Sequence, residues 1–277
     1  MNVLNASSAL AENLAVFEAQ DFLIQPESIP PVEIVEGRYT VRFARTIEEV
    51  DAALKLRFEV FNLELGEGLD SSYLSGRDRD EYDPACHHLI VMDRDENMVV
   101  GTYRCQTGEM AAVKGFYSAG EFDLSQLPQD VLTDAVELGR ACVARSHRNT
   151  QVLFLLWKGL AAYVAYNRKR YLFGCCSLTS QDEGEGGRVF ETLKESGHLH
   201  QTLRAHPLPG LECYRDDSIT GEAAEVNIPK LFRIYLRFGA QVCGPPAIDR
   251  LFKTIDFLVL FDIQNMDEQW RRIFFGA

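Results

Sequence analysis

The stretch that decides the fold reads Val136-Glu137-Leu138-Gly139-Arg140-Ala141-Cys142-Val143, then Ala144-Arg145-Ser146-His147-Arg148-Asn149, then an apolar run from Thr150. The first segment is a strand, Ala135–Ala144. Thr150–Asn167 is apolar nearly all round, which predicts a helix buried between other elements. A strand that turns straight into a helix leaves the first helical N–H groups unpaired, with partial positive charge, at the end of a sheet. That arrangement is a natural phosphate cradle. Arg145 and Arg148 add charged donors suited to phosphate oxygens, and Asn149 or Thr150 caps the helix. The same residues also read as two solvated arginines and a plain cap, because a strand–turn–helix with two arginines is a weak motif.

Glu137 and Arg140 stand three apart on the strand, so simple alternation points them to opposite faces. A charged residue in a core strand is either paired or functional. Glu137 is a candidate base for an attacking amine, with a structural ion pair as the alternative.

Working outward, Tyr39–Arg45 reads as a strand. Thr46-Ile47-Glu48-Glu49 is a capping box that opens a helix carried on by Val50, Leu54, Arg57, Phe58 and Phe61. Gly66–Arg79 is rich in glycine, serine and charge and reads as a mobile loop. His87–Asp93 and Met98–Cys105 form a hairpin. Tyr171–Leu178 and Thr254–Ile263 read as buried strands, Gly184–Gly197 and Pro229–Phe238 as helices, and Asp267–Phe275 as an aromatic C-terminal helix. Leu199–Val226 reads as loop with short strands. Residues 1–38 read as an N-terminal extension, with Ser8–Phe22 as a short amphipathic helix. Residues 39–277 form the domain. Strands alternate with helices apart from the early hairpin, so the expected fold is α/β (α+β), a mixed sheet with helices on both faces.

The chain is acidic, with a net charge of −13, which argues against general nucleic-acid binding. The charge is uneven. Glu59–Glu96 holds eleven acids and three bases, whereas Glu137–Arg170 holds one acid and seven bases. The basic stretch reads either as ordinary salt bridging or as a docking face for an anionic partner. The seven cysteines show no zinc-ligand spacing, no metal site is expected, and their number and setting suggest a reducing compartment. No signal peptide is visible, and the longest apolar run, Val152–Tyr166, is too short to span a bilayer.

Several stretches together resemble the acetyltransferase-like (GNAT) superfamily and, within it, the bacterial ornithine-lipid N-acyltransferases. N-acyl amino acid synthases and acyl-homoserine-lactone synthases are more distant relatives. The stretches include Arg57-Phe58-Glu59-Val60-Phe61, Asp80-Glu81-Tyr82-Asp83, Val100-Gly101-Thr102-Tyr103-Arg104, Phe116-Tyr117-Ser118, Glu137-Leu138-Gly139-Arg140 and Thr254-Ile255-Asp256-Phe257.

The resemblance implies a sheet splayed in the middle, with the donor's pantetheine arm beside Ala135–Ala144 and its phosphate at the turn. It implies Glu137 and Arg140 as catalytic residues, and Val143, Arg145, Arg148, Asn149 and Thr150 as donor-binding residues, with backbone N–H groups near Val143 as the oxyanion site. Arg57, Phe61, Asp80, Asp83 and Arg104 then belong to the acyl or acceptor site. Asp80 and Asp83 would suit a cationic amino acid, and the acyl tunnel would be lined from the Phe58–Phe61 helix and neighbouring strands. The turn carries no glycine between Arg140 and Gly159, unlike the usual glycine-rich one. That favours a donor on acyl carrier protein, bearing 4′-phosphopantetheine, over coenzyme A, and no separate cofactor is expected. The implied reaction is transfer of a 3-hydroxyacyl group to the α-amine of ornithine, giving lyso-ornithine lipid in the cytoplasm. N-acylation of another amino acid such as tyrosine is the enzymatic alternative, and a non-catalytic carrier or lipid-binding module is the other class. Trp270, Phe274 and Phe275 are read either as a peripheral membrane contact at the inner face or as core packing.

Overall fold

The computed structural model describes residues 25–31, 33–213 and 226–276. The helix expected at Ser8–Phe22 and part of Leu199–Val226 lie outside the described residues. One mixed sheet organises the chain: β1 (Ile34–Glu36), β2 (Tyr39–Phe43), β3 (His87–Asp93), β4 (Met98–Thr107), β5 (Ala135–Val143), β6 (Tyr171–Leu178), β7 (Gln241–Val242), β8 (Ala247–Asp249) and β9 (Thr254–Asp262). Their order across the sheet is β1-β2-β3-β4-β5-β6-β9-β7, with β8 also on β9. The sheet reaches into the stretch read as an extension, where Ile34–Glu36 pairs with β2.

The helices are α1 (Ile47–Phe58), α2 (Gly108–Lys114), α3 (Gln129–Thr133), α4 (Thr150–Tyr166), α5 (Glu183–Glu195), α6 (Lys230–Phe238) and α7 (Glu268–Phe275). Thr46 caps α1 by accepting the Glu49 N–H at 3.3 Å, and Asn149 caps α4 by accepting the Val152 N–H at 2.9 Å. Alternation along the strands then sorts the layers. Leu89 and Val91 of β3 and Val100 of β4 pack with α4, whereas Ile90 and Val99 pack with α1. Gly159 lets α4 lie close on β3, since a Cβ there would meet Leu89 at 2.7 Å. The two helices therefore cover opposite faces, and the expected splayed mixed sheet with helices on both faces is the one found.

Two irregularities shape the middle of the sheet. β5 and β6 are its one parallel pair among the described strands, and they are in register only over Ala135–Glu137 against Tyr171–Phe173. Beyond that point they diverge. At the vertex Gly174 brings β6 against the Leu138 carbonyl, where a Cβ would sit 2.2 Å from the oxygen. On its other edge β5 is bulged. Thr102 pairs with Cys142 and Arg104 with Gly139, so Tyr103 opposes two residues and Arg140 takes a left-handed φ of 50°. A bulge breaks the two-residue period. The expectation that Glu137 and Arg140 face apart is corrected on this ground, because both line one cavity.

The Gly66–Arg79 stretch is also not the loose loop its composition predicts. It contains a helical turn, Ser72–Ser75, the Gly68 N–H donates to the Phe252 carbonyl at 2.9 Å, and Glu67 and Asp78 are buried. The aromatics of α7 point inward. Trp270 lies 4.8 Å from the Phe238 ring, Phe274 lies 5.7 Å from Trp157, and Phe275 packs on the same core, which favours the core-packing reading. Among the described residues no helix is long and apolar enough to cross a membrane.

Candidate active site

Where β5 and β6 part, a cavity of ≈ 330 Å³ passes through the sheet, within the ~300–1,000 Å³ range of small-molecule sites. On the α4 face its wall is apolar: Tyr103, Trp157, Phe232, Tyr235 and Phe261. The Tyr103 and Tyr235 hydroxyls hydrogen-bond to each other there. On the α1 face its wall is polar and charged: Arg104, Gln106, Tyr117, Glu137, Arg140 and Asp256. Phe61 and Leu65 lie at this end, on the π-helical continuation of α1 over Glu59–Leu65. Phe61 thus reaches the cavity, but most of the apolar wall comes from α4, α6 and β9 rather than from the helix bearing Phe58.

Beside the charged wall, three arginines meet three aspartates. Arg57 donates through Nε to Asp78 Oδ2 at 2.7 Å and through Nη1 to Asp83 Oδ1 at 2.7 Å. Arg104 Nη1 donates to Asp80 Oδ1 at 2.6 Å and to Asp83 Oδ1 at 3.2 Å. Arg140 Nη2 donates to Asp80 Oδ2 at 3.0 Å, and its Nε lies 3.3 Å from Asp78 Oδ2. The Arg140 guanidinium also stacks over the Phe252 ring at 4.2 Å and the Tyr117 ring at 4.7 Å. Arg57, Asp78 and Asp83 are fully buried. Burial alone would raise the Asp83 carboxyl's pKa, but the Arg57 and Arg104 guanidiniums overcome it and hold that carboxyl well below the usual carboxylate range. Asp80 is held down the same way by Arg104 and Arg140.

This geometry corrects the expectation that Asp80 and Asp83 hold a cationic acceptor. Their oxygens are already taken by guanidinium groups, and neither they nor Arg57 lines the cavity. Asp78, which closes the cluster, escaped the sequence reading because it lies in the stretch taken for a loop.

Glu137 is buried on β5. Its Oε1 accepts the Ser118 N–H at 2.8 Å and the Ser118 hydroxyl at 2.6 Å, and its Oε2 accepts the Tyr117 N–H at 2.7 Å. Burial pushes its carboxyl up, and these hydrogen bonds offset that only in part. His87 and His88, at the start of β3, face apart as alternation requires. His87 bonds the Tyr163 hydroxyl in the α4 layer, and His88 Nε2 reaches the Asp83 carbonyl. Burial pushes His88 down to about 4, so it is neutral.

The turn after β5 is more self-contained than expected. The Ala144 N–H donates to Val100, the His147 N–H to Ala144 and the Asn149 N–H to His147. Arg148 clamps Glu64 at 2.5 and 2.8 Å and donates to the Val143 carbonyl, while Arg145 is exposed. Val143, Arg145, Arg148, Asn149 and Thr150 stand away from the cavity, at the far end of the strand whose Leu138–Ala141 lines it. At about 3.4 Å per residue the turn lies roughly 14 Å from Gly139. The basic surplus of Glu137–Arg170 is largely matched by acids from elsewhere. Lys158 pairs with Glu36, Lys169 with Glu109 and Arg170 with Asp262, in addition to the Arg140 and Arg148 pairs. This corrects the reading of that stretch as one continuous docking face.

All seven cysteines are free, and burial pushes the Cys86, Cys175 and Cys176 thiols upward, so none is a ready nucleophile. Asp93, Glu96 and His147 come together at the far end of β3, but Arg38 bonds Asp93 and Glu96 at 2.5 and 2.8 Å and fills that group with a guanidinium.

Residues 56–158 match the acetyltransferase (GNAT) domain family. The chain is 32% identical over 245 residues to an L-ornithine N(alpha)-acyltransferase of Rhodobacter capsulatus, covering 85% of this chain and 94% of that one. It is 29% identical over 283 residues to one of Rhizobium meliloti, covering 97% and 95%. Among solved structures it is similar to FeeM, an N-acyl amino acid synthase from uncultured soil microbes, with a TM-score of 0.49 and 10% identity over 83% of this chain and 95% of that one. The AHL synthase LasI gives a TM-score of 0.47 and 12% identity over 87% and 97%.

Proposed function

The chain belongs to the L-ornithine N(alpha)-acyltransferase family and is an N-acyltransferase, and from that premise we propose that it acylates the α-amine of ornithine from a fatty acyl thioester. The observation that carries this reading is the cavity through the sheet, with one apolar end and one charged end meeting where β5 and β6 part. An acyl chain fits the end lined by Trp157, Phe232, Tyr235 and Phe261. A zwitterionic amino acid fits the charged end. The thioester carbonyl then lies at the vertex, between Leu138 and Gly174, with the pantetheine arm running along β5 to the turn at Arg145–Thr150.

The amine nitrogen attacks the carbonyl carbon, the C–N bond forms, the C–S bond breaks and the donor leaves as a thiol. Before attack the ammonium sheds a proton. Glu137 is the group we assign to accept it through water. It lines the cavity, its Oε2 carries a single donor, and burial raises its proton affinity toward that of a working base. For the oxyanion, the β5 bulge at Arg140 supplies the donor, because a bulge leaves one ladder N–H unpaired. The Ala144 N–H next to Val143 is spent on Val100.

The donor is an acyl group, 3-hydroxylated in the fullest form of this reading, on acyl carrier protein, and the product is lyso-ornithine lipid. What supports the carrier protein over coenzyme A is a glycine-free turn whose His147 and Asn149 amides are spent internally, leaving exposed Arg145, beside the Arg148–Glu64 pair, for one phosphate and an acidic partner. The test is thiol release from 3-hydroxyacyl carrier protein and from the matching acyl coenzyme A, each with and without ornithine. Release that depends on ornithine and prefers the carrier is expected. Release that ignores every amine supplied overturns the reading.

A further inference from the structure

The cavity meets three carboxylates, Glu67, Glu137 and Asp256, and they are not equivalent. Glu137 is held by three hydrogen bonds from the Tyr117–Ser118 segment, with only one of them on Oε2. Asp256 projects from β9 and is 3% exposed. Its Oδ2 accepts the Thr254 hydroxyl at 3.1 Å and its carboxyl also interacts with the Ser177 and Glu121 side chains, whereas its Oδ1 is buried without a partner at hydrogen-bond distance. Behind it lie Glu121 and Asp249, each offering an oxygen in a group whose members all lie within 4.8 Å of one another. Glu67 stands on the cavity wall beside them, its Oε1 accepting the Thr179 hydroxyl. Arg140 is a cation that acts on both Glu67 and Glu121, and its guanidinium is paired with Asp78 and Asp80.

A buried carboxylate without a cation is costly. The cost shows in the proton affinities of the group. Burial pushes Glu121 well up, with Asp256 and Asp249 adding to it, and burial raises Glu67 and Asp256 too. Glu121 is raised most strongly and stands behind, whereas Asp256, with one oxygen lacking a hydrogen-bond partner, is the member of the group on the cavity wall.

We infer that this acidic wall, with Asp256 and Glu67 on the cavity and Glu121 and Asp249 behind, receives the side-chain ammonium of a diamino-acid acceptor and so selects for a second amine. The inference rests on the N-acyltransferase reading and adds to it the residues that choose the acceptor. An ammonium fits better than a divalent ion. It has three protons to donate, whereas a hard cation takes about six to eight oxygens. Few oxygens are free here, since Asp249 Oδ1 already accepts the Leu251 and Phe252 N–H groups at 2.8 Å each, and Asp249 Oδ2 takes the Tyr117 hydroxyl at 3.4 Å.

The test compares kcat/KM for ornithine and for 2-aminopentanoic acid, which has the same carbon chain without the second amine. The unaltered enzyme should prefer ornithine by roughly 100-fold, the scale of one buried charge-paired contact. Asp256→Asn should collapse that preference to within a few-fold, mainly through a higher KM for ornithine. Glu67→Gln, on a different segment, should shift the ratio in the same direction and serves if Asp256→Asn does not fold. Equal use of both amines by the unaltered enzyme, or an unchanged ratio in the folded variants, overturns the inference. So does loss of activity on both amines after chelation by EDTA, which points to a metal at this wall. Activity on neither amine would instead overturn the acyltransferase reading, so the two failures are distinguishable.

Discussion

Two groups of buried charge lie on the same face of the sheet and are built in opposite ways. In the Arg57–Asp78–Asp80–Asp83–Arg104–Arg140 group, three guanidiniums answer three carboxylates, and most of the aspartate oxygens are taken. In the Glu67–Glu121–Asp249–Asp256 group, no guanidinium or ammonium among the described residues is paired with a carboxylate, and Arg140 acts on Glu67 and Glu121 only from a distance. The first group has its charges paired within the chain, with only Asp78 Oδ1 and Arg140 Nε of its buried atoms lacking a hydrogen bond. It fixes the Asp78–Asp83 segment against α1 and aims Arg104 and Arg140 at the cavity. The second is completed by something positive arriving from the cavity. Acidic residues near a site are therefore not interchangeable evidence of acceptor binding: what matters is whether their partners are already inside the chain.

The largest effect expected is from breaking the paired group. Arg57→Ala leaves Asp78 and Asp83 buried without their main cation, so unfolding by urea should show a loss of about 3–5 kcal/mol, or no folded protein at all. A loss under 1 kcal/mol would mean that the group is not the structural anchor described. Next is Glu137→Gln. It keeps the side-chain shape and an oxygen for Ser118, sets an amide NH2 against the Tyr117 N–H and removes the proton acceptor, and kcat should fall roughly 10²–10⁴-fold in a protein that still melts cooperatively. Near-normal kcat would leave Glu137 as an anchor alone.

The pH dependence of melting sharpens the contrast between the groups. Asp83 and Asp80 are held below their ordinary values, so the stability they contribute is present above about pH 4 and is lost as the pH falls below it. Glu67, Glu121 and Asp256 are raised, so their contribution is present below about pH 4 and is lost as the pH climbs through their raised values. Asp256→Asn should flatten the alkaline decline and leave the acid limb in place. An unaltered alkaline limb in that variant would show that the acids of the wall do not sense one another.

The smallest effect lies at the rim. Arg145→Ala together with Arg148→Ala should raise the Michaelis constant for an acyl-carrier donor several-fold at low salt and less at high salt, since exposed charges are screened. A Michaelis constant that does not move removes the turn from carrier recognition.

The elements were legible from local signals. Thr46 and Asn149 read as caps and act as caps, and the all-round apolarity of Thr150–Asn167 marked the buried helix. The order of motifs from Arg57 to Leu260 was enough to place the chain in its family, and it singled out Glu137, Arg140 and Arg104, which line the cavity. Asp256 also left a trace, as an acid inside the apolar strand Thr254–Ile263, whose other acid, Asp262, stands near its end. The partners of the charges were not legible. Arg57 meets Asp78 across 21 positions, Arg140 meets Asp80 across 60, and Glu121 meets Asp256 only once β9 lies beside β6. Sequence by itself determined which residues are charged, apolar or capping, because those are properties of side chains and their near neighbours. Only the tertiary structure decided that Arg140 turns at a bulge to face Glu137's cavity, that Asp80 and Asp83 are spent, and that Asp256 is not. Pairing and register depend on strands that are distant in the chain, and a one-residue bulge is enough to change the face a side chain takes.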